Sequence, residues 1–280
     1  AWGAVRFARG GWMEKTEARS RDVNFDRSFT AKSAALGAFA DLGSAFKLGL
    51  NLSTTARAPA AEELLANGPH VGTQSYEIGD PGFGIKRARG AEIILRAEGD
   101  GWNIDAAAYV TRFKGYIYEF QTGAIIDDLP VFQFAQGNAR YQGVEVEGRA
   151  DLFRAGPVQI SGDIVADAVR ATIDGFGAAP RIPPFRVLGG INAGADRWNA
   201  RIDAERTSAQ RRVTGFETAT PGFTRVNFSA DWQILADSDV RLALSANNIF
   251  NVEARRHASF LKDFAPLAGR DIRLSLRASF

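Results

Sequence analysis

The 280-residue chain has no cysteine, one methionine and two histidines. Without cysteine, neither a disulfide framework nor a thiolate metal site is available. Basic and acidic residues nearly balance, 34 against 32, which gives no basic surface of the kind that binds nucleic acid. No apolar run reaches the roughly 18 residues of a helical membrane span. The G-x-S-x-G nucleophile turn, the phosphate-binding G-x-x-x-x-G-K-S/T loop and the dinucleotide fingerprint are all missing. The expectation is a protein that is not an enzyme and that carries no cofactor. The opening AWGAVRFARGGW lacks the basic and apolar regions of a signal peptide, so the chain reads as a mature segment or a fragment.

What is present is period two. Phe46, Leu48, Leu50 and Leu52 alternate with Lys47, Gly49, Asn51 and Ser53. The same pattern recurs at Trp102–Val110, Val144–Arg149, Trp198–Glu205, Val226–Trp232, Val240–Ser245 and Asp271–Phe280. Alternation of this kind marks strands with two unlike faces. Twelve strands are predicted, near 2–14, 28–40, 45–55, 88–98, 101–114, 138–152, 157–170, 185–195, 197–208, 222–234, 239–249 and 269–280. The second has apolar residues on both parities and also fits a short helix. Short connections alternate with long ones at 15–27, 56–87, 115–137, 171–184, 209–221 and 250–268. Tight turns at one rim and long loops at the other are the pattern of an up-and-down barrel.

A soluble barrel or sandwich would also alternate, with its apolar face inward. Strand length favours a membrane instead: many of these strands exceed the roughly 5–6 residues typical of soluble sheets and suffice for a tilted crossing of about 9–11. The apolar face is also rich in small residues, Ala106, Ala108, Gly162, Ala166, Gly189, Ala193 and Ala204. Lipid fills around these more easily than a packed core does. The fold class expected is therefore all-β, a transmembrane antiparallel up-and-down β-barrel. Two rivals stand beside it: a small complete outer-membrane barrel acting as a passive channel or lipase-type enzyme, and a soluble extracellular carbohydrate-binding β protein. His70 with Ser75, and His257 with Ser259, share loops, but serines are common enough that such pairs arise by chance.

Four stretches and the chain end carry a resemblance. STTARAPAAEELLANGPHVGTQSYEIGDPG (Ser53–Gly82), ARYQGVEVEGRADL (Ala139–Leu152), RIPPFRVLGGI (Arg181–Ile191) and LSANNIFNVEARRH (Leu244–His257) occur in order, followed by the aromatic-terminated last strand. Together they resemble TonB-dependent outer-membrane receptors. The NGPH…EIGD version is similar to the zinc-uptake branch. The family barrel has twenty-two strands and an N-terminal plug. The resemblance therefore implies that residues 1–280 form one β-barrel domain without a plug, either the C-terminal half of a large barrel or a smaller closed one. It also implies the bacterial outer membrane, TonB-energised uptake of a scarce solute (a metal ion, a metal chelate or haem), and contact with the TonB complex through a plug not present here. Further implied partners are the barrel assembly machinery, through the C-terminal strand, and outer-membrane lipid with lipopolysaccharide.

Candidate residues follow. His70 shares the longest loop with Glu62, Glu63, Glu77 and Asp80, and imidazole with carboxylates suits a borderline cation. His257 lies in the last long loop with Arg255, Arg256 and Lys262, cations that could draw in an anionic chelate. Glu145, Glu147, Arg149 and Asp151, with Arg273 and Arg277, are expected on a wet lumenal wall, the first group pairing with neighbours such as Arg96 or Arg201. Pro59 is expected to terminate a strand. Phe280 is expected to anchor the last strand at the membrane interface. Spin labels placed along Asp271–Phe280 in bilayers should show oxygen and polar-relaxant accessibility exchanging at every step; a flat profile refutes this partition.

Overall fold

A computed structural model describes residues 6–20, 23–235 and 240–278, with side chains from residue 27. Phe280 lies outside the described residues. Helix is limited among them to one turn, α1 (Ala61–Leu65). The strands are β1 (Arg6–Ser20), β2 (Val23–Asp41), β3 (Phe46–Arg57), β4 (Asn67–His70), β5 (Ser75–Ile78), β6 (Lys86–Gly99), β7 (Trp102–Ile126) and β8 (Leu129–Ala155), followed by β9 (Val158–Ile173), β10 (Gly177–Ala178), β11 (Arg186–Ala195), β12 (Trp198–Thr207), β13 (Phe223–Gln233), β14 (Val240–Asn247) and β15 (Asp271–Ala278). Twelve of them form an antiparallel meander, β1-β2-β3-β6-β7-β8-β9-β11-β12-β13-β14-β15, while β4, β5 and β10 belong to loops. Among the described residues no ladder joins β1 to β15.

Cross-strand rows show why this sequence makes this sheet. Phe46, Ala97, Ile104, Gly148, Ile164, Gly189, Ala204 and Val226 lie in one row across eight strands. The adjacent row, one residue along, is Lys47, Arg96, Asp105, Glu147, Val165, Leu188, Glu205 and Arg225. One row holds no charge; its neighbour is mostly charged. Successive side chains point to opposite faces, so one face is apolar and the other polar. Leu50 is 47% and Leu276 67% exposed on the apolar face. Moving such a side chain from water to hydrocarbon is worth roughly 1.5–3 kcal/mol, so this face is stable only against lipid. Phe46, Trp102, Trp198 and Trp232 ring the short-turn end, an aromatic girdle at one interface.

Two long loops expected from the sequence are instead strand. Segment 115–137 continues β7 and β8 as one hairpin, closed at Asp127 and Asp128. Both aspartates have positive φ, 50° and 61°, the type I′ geometry that matches strand twist. Segment 15–27 behaves likewise, with β1 running to Ser20 and β2 starting at Val23. The ambiguous second strand is a strand throughout its pairing with β3. Pro59, fully buried just past β3, ends that strand as expected.

The NNIFN stretch closes the base of the last loop. Asn248 is buried with φ 50°. Its amide donates to the carbonyls of Val252 (2.9 Å) and Ala268 (3.2 Å) and accepts from Val252 N–H (3.0 Å). Asn251, also at positive φ, accepts from Arg270 N–H at 2.9 Å. Asparagine tolerates the left-handed region and bonds local backbone, so two asparagines pinch the ends of a 23-residue loop (248–270) together. Asn248→Ala should lower the unfolding free energy by roughly 2–3 kcal/mol, because buried backbone groups lose their partners; urea unfolding in lipid vesicles measures it, and Asn248→Asp should be at least as costly, since a carboxylate oxygen would face both carbonyls.

Candidate functional site

The meander delivers every long connection to one rim. The 58–85 segment is held in place by α1 and by a parallel ladder in which β5 joins the far edge of β8, Tyr76 opposite Val131 and Ile78 opposite Gln133. That edge is open because β9 pairs with β8 only below Ala139. Gln136 fastens the same segment: its amide donates to the carbonyls of Gly84 (2.8 Å) and Gly115 (3.0 Å) and accepts from Gly84 N–H (3.0 Å).

Five connections meet around a cavity of about 130 Å³. Thr73 and Ser75 come from the first, Glu119 and Phe132 from the β7–β8 hairpin, and Arg181 from the β9–β11 loop. Phe216, Glu217 and Thr218 come from the β12–β13 loop; Ser259, Phe260, Lys262 and Asp263 come from the last. Arg181 sits at the centre. Its guanidinium lies 3.7 Å from the Phe260 ring centroid and donates to Glu119 at 3.2 Å, while its backbone N–H donates to Glu217 at 2.7 Å. It holds φ 59° between Pro180 and Ile182. Phe132 and Phe216 stack edge-on at 5.4 Å. Lys262, almost fully buried, donates to the Thr218 carbonyl at 2.8 Å and lies 3.8 Å from Glu217. Burial and Arg181 push its pKa down, against the pull of Glu217 and Asp263.

The structure separates the residues singled out in the first long loop. Glu63 pairs with Arg57 at 2.5 Å and caps α1 through Ala60 N–H at 2.7 Å. Asp80 accepts from Gly82 N–H at 2.7 Å, and Glu62 is exposed on α1. His70 contacts Glu77 at 2.7 Å, in a knot with Thr73 and Ser75 that ties β4 to β5. Among the described residues, no three histidine or carboxylate side chains converge as a metal site.

The last loop's cations face inward rather than lining an open rim. Arg256 forms a two-pronged pair with Glu205, one bond at 2.9 Å. Arg255 pairs with Glu253 at 2.7 Å and donates to the Lys262 carbonyl. His257 is buried, 3.0 Å from Thr220 Oγ1 and 3.9 Å from Glu217. These contacts knit the last loop to the β12–β13 loop.

On the polar face, Glu145, Glu147, Arg149 and Asp151 are exposed, and the arginines expected to meet them bind other carboxylates. Arg96 pairs with Asp105 at 3.1 Å; Arg201 grips Asp163 (one bond 2.9 Å) and approaches Asp203 at 3.4 Å. Arg96 takes its direct cross-strand neighbour, whereas Arg201 reaches over Gly190 of β11 to Asp163 on β9. Arg273 and Arg277 share this polar face, and Arg273 contacts Asp271. A groove of about 570 Å³ runs along the wall past Glu92, Arg96, Tyr109, Glu145, Glu147 and Arg186.

A two-faced antiparallel wall with all long loops at one rim defines a transmembrane β-barrel of the bacterial outer membrane. Residues 8–249 match the family described as TonB dependent receptor-like, beta-barrel, and the chain belongs to that family. It is a family of transport receptors, not enzymes. Among solved structures, the chain is similar to the copper transporter OprC (17% identity, TM-score 0.77, 99% of this chain and 44% of that one). It is also similar to the ferric-catecholate import receptor Fiu from K12 E. coli (15%, 0.66, 99% and 42%) and the ferric citrate transporter FecA (20%, 0.65, 88% and 38%). The chain spans less than half the length of each of these. Membership of the family removes the soluble carbohydrate-binding alternative.

Sequence reasoning missed Arg181, Glu119, Phe132, Phe216, Glu217 and Phe260. The signal available was Pro-Arg-Ile-Pro-Pro, an arginine held between prolines with little conformational freedom. The junction around His257 has a pH dependence. Burial and Lys262 hold its pKa below the ordinary 6.5, against Glu217 and Asp263. The folded protein therefore binds fewer protons than the unfolded chain in this window, so stability is full above the ordinary value and declines as pH falls below it. Hydrogen exchange across 248–270, corrected for intrinsic rate, should quicken between pH 7.5 and pH 5, and His257→Asn should flatten that change; equal profiles refute it.

Proposed function

We propose that this chain is the outer mouth and wall of a TonB-energised receptor that captures a scarce solute. The five-loop convergence on Arg181 carries this reading. Arg181 and Lys262 supply positive charge against Glu119, Glu217 and Asp263, and Phe132, Phe216 and Phe260 supply flat apolar surface. Flat rings beside paired charges suit a chelated metal better than a bare cation, since no three metal-ligating side chains converge among the described residues. A metal chelate or haem is therefore favoured over a free metal ion as cargo. The polar groove beneath the loops offers a wetted path inward. Energy would come through TonB acting on a plug. Further strands would pair with the edges of β1 and β15, because open edges are not tolerated in hydrocarbon, and relatives of more than twice the length have room for them.

The test is equilibrium binding of ferric citrate, a ferric catecholate, haemin, Cu²⁺ and Zn²⁺ to the detergent-extracted protein. One of the three chelates should bind, and Arg181→Ala should weaken it about tenfold or more, as expected for loss of a charged hydrogen-bonding group. Binding of the bare ions alone, or no effect of the substitution, refutes the reading.

A further inference from the structure

One carboxylate oxygen at the mouth is shared by donors from two loops. Glu217 Oε1 accepts from the Arg181 backbone N–H at 2.7 Å, and it lies 3.8 Å from Lys262 Nζ and 3.9 Å from His257 Nε2. Its partner Oε2 faces the N–H and the hydroxyl of Thr214, each at 3.4 Å. The Glu217 and His257 side chains are 5% and 1% exposed, so neither has water to replace a lost partner. Glu217 and Lys262 line the cavity, and His257 stands behind them with its other ring nitrogen 3.0 Å from Thr220 Oγ1. The imidazole thus reaches the carboxylate that anchors Arg181 without lining the cavity itself.

The charges around His257 come from both loops. Its own loop supplies Lys262 and Asp263, and the β12–β13 loop supplies Glu217. Arg255 and Arg256, next to it in sequence, are turned to Glu253 and Glu205. Asp263 already accepts from Thr218 Oγ1 at 2.6 Å. Glu217 is therefore the carboxylate within reach of Nε2. A carboxylate oxygen has about two acceptor positions, and those of Oε1 face Arg181 and Lys262. A proton on Nε2 makes a third donor. Drawing it into a charge-assisted bond of about 2.8 Å closes the gap by about 1 Å, and the new charge repels Lys262.

We propose that His257 is a proton-operated switch of the mouth: when the imidazole takes up a proton, Glu217 turns to it, releases the Arg181 N–H and lets Lys262 withdraw, and solute affinity falls. This rests on the reading of the Arg181 cavity as the solute site. His257 is a positioning residue, acting through Glu217. Solute and proton then oppose each other by the same factor, because linkage is reciprocal. Burial and Lys262 keep the folded-state pKa below 6.5, so affinity is full above that value and declines as pH falls beneath it. Glu119 moves toward the same range, raised by burial and Glu77 against Arg181 and His70. The switch is therefore read from the difference between wild type and a histidine variant.

The test compares chelate affinity at pH 7.5 and pH 5 in the detergent-extracted protein, using whichever of ferric citrate, a ferric catecholate or haemin binds at pH 7.5. Wild-type affinity should fall about fivefold or more, the lower end of ordinary coupling between sites. His257→Asn, whatever its affinity at pH 7.5, should lose most of that fall; chelate chemistry is common to both proteins and cancels. Without any solute, NMR of the isotope-labelled wild type should show the Arg181 backbone amide shifting in step with titration of the His257 ring. An equal fall in both proteins, or an Arg181 amide that ignores the His257 titration, overturns the switch. If none of the three chelates binds at pH 7.5, the solute reading of the cavity fails instead, and the amide titration alone decides whether His257 governs Arg181.

Discussion

The structure depends on one constraint: inside hydrocarbon, every backbone N–H and C=O must find its partner within the sheet. That requirement keeps the ladders unbroken through the apolar belt. The register irregularities obey it. The shifts between Phe113 and Tyr116 and between Gln121 and Ile125 lie beyond the belt at the long-loop end, and the shift between Asp151 and Phe153 lies at the short-turn end. Where water is available, the backbone is free to bulge. Where it is not, period two runs without a slip, because a one-residue slip would turn every arginine of the inner face into lipid.

Outside the belt the molecule uses other devices. A parallel strand is added from a distant loop, one helical turn is capped by its own Glu63, and Asn248 and Asn251 draw the last loop to a narrow base. The loops are fastened by polar contacts: Arg256 pairs with Glu205 of β12, the Arg181 guanidinium pairs with Glu119 of β7, and the Arg181 backbone N–H donates to Glu217. Mutual fastening gives the mouth a defined cavity despite its irregular backbone. A binding surface built on segments this long needs such cross-links, since ordering each free residue costs about 1–2 kcal/mol.

Charge is sorted by location. On the inner wall, cations and carboxylates pair, as Arg96 does with Asp105 and Arg186 with Asp167. On the outer border, at the long-loop end of the apolar face, cations stand beside cations, Arg89 opposite Arg112 and Arg112 opposite Arg140. At the mouth, Arg181 and Lys262 are balanced by Glu119, Glu217 and Asp263, and are packed with aromatic rings. One chain thus presents different charge arrangements on its inner wall, at its outer border and at its mouth.

Period two marked the wall strands and the two faces of each, because alternation is local and reads directly from neighbouring residues; strand length and the alternation of short and long connections pointed from there to a membrane barrel. It also placed the polar wall residues Glu145, Glu147, Arg149 and Asp151 on one face. Only the tertiary structure decided who pairs with whom. Arg201 meets Asp163, two strands away, because Gly190 on the strand between leaves its guanidinium a path across. The hairpin through Asp127–Asp128 escaped notice because a two-residue turn with positive φ leaves only a faint mark when no glycine supplies it. The cavity around Arg181 is assembled from segments up to 190 residues apart, Thr73 to Asp263. No local pattern encodes that meeting, since it follows from how the strands carry their loops to a common rim.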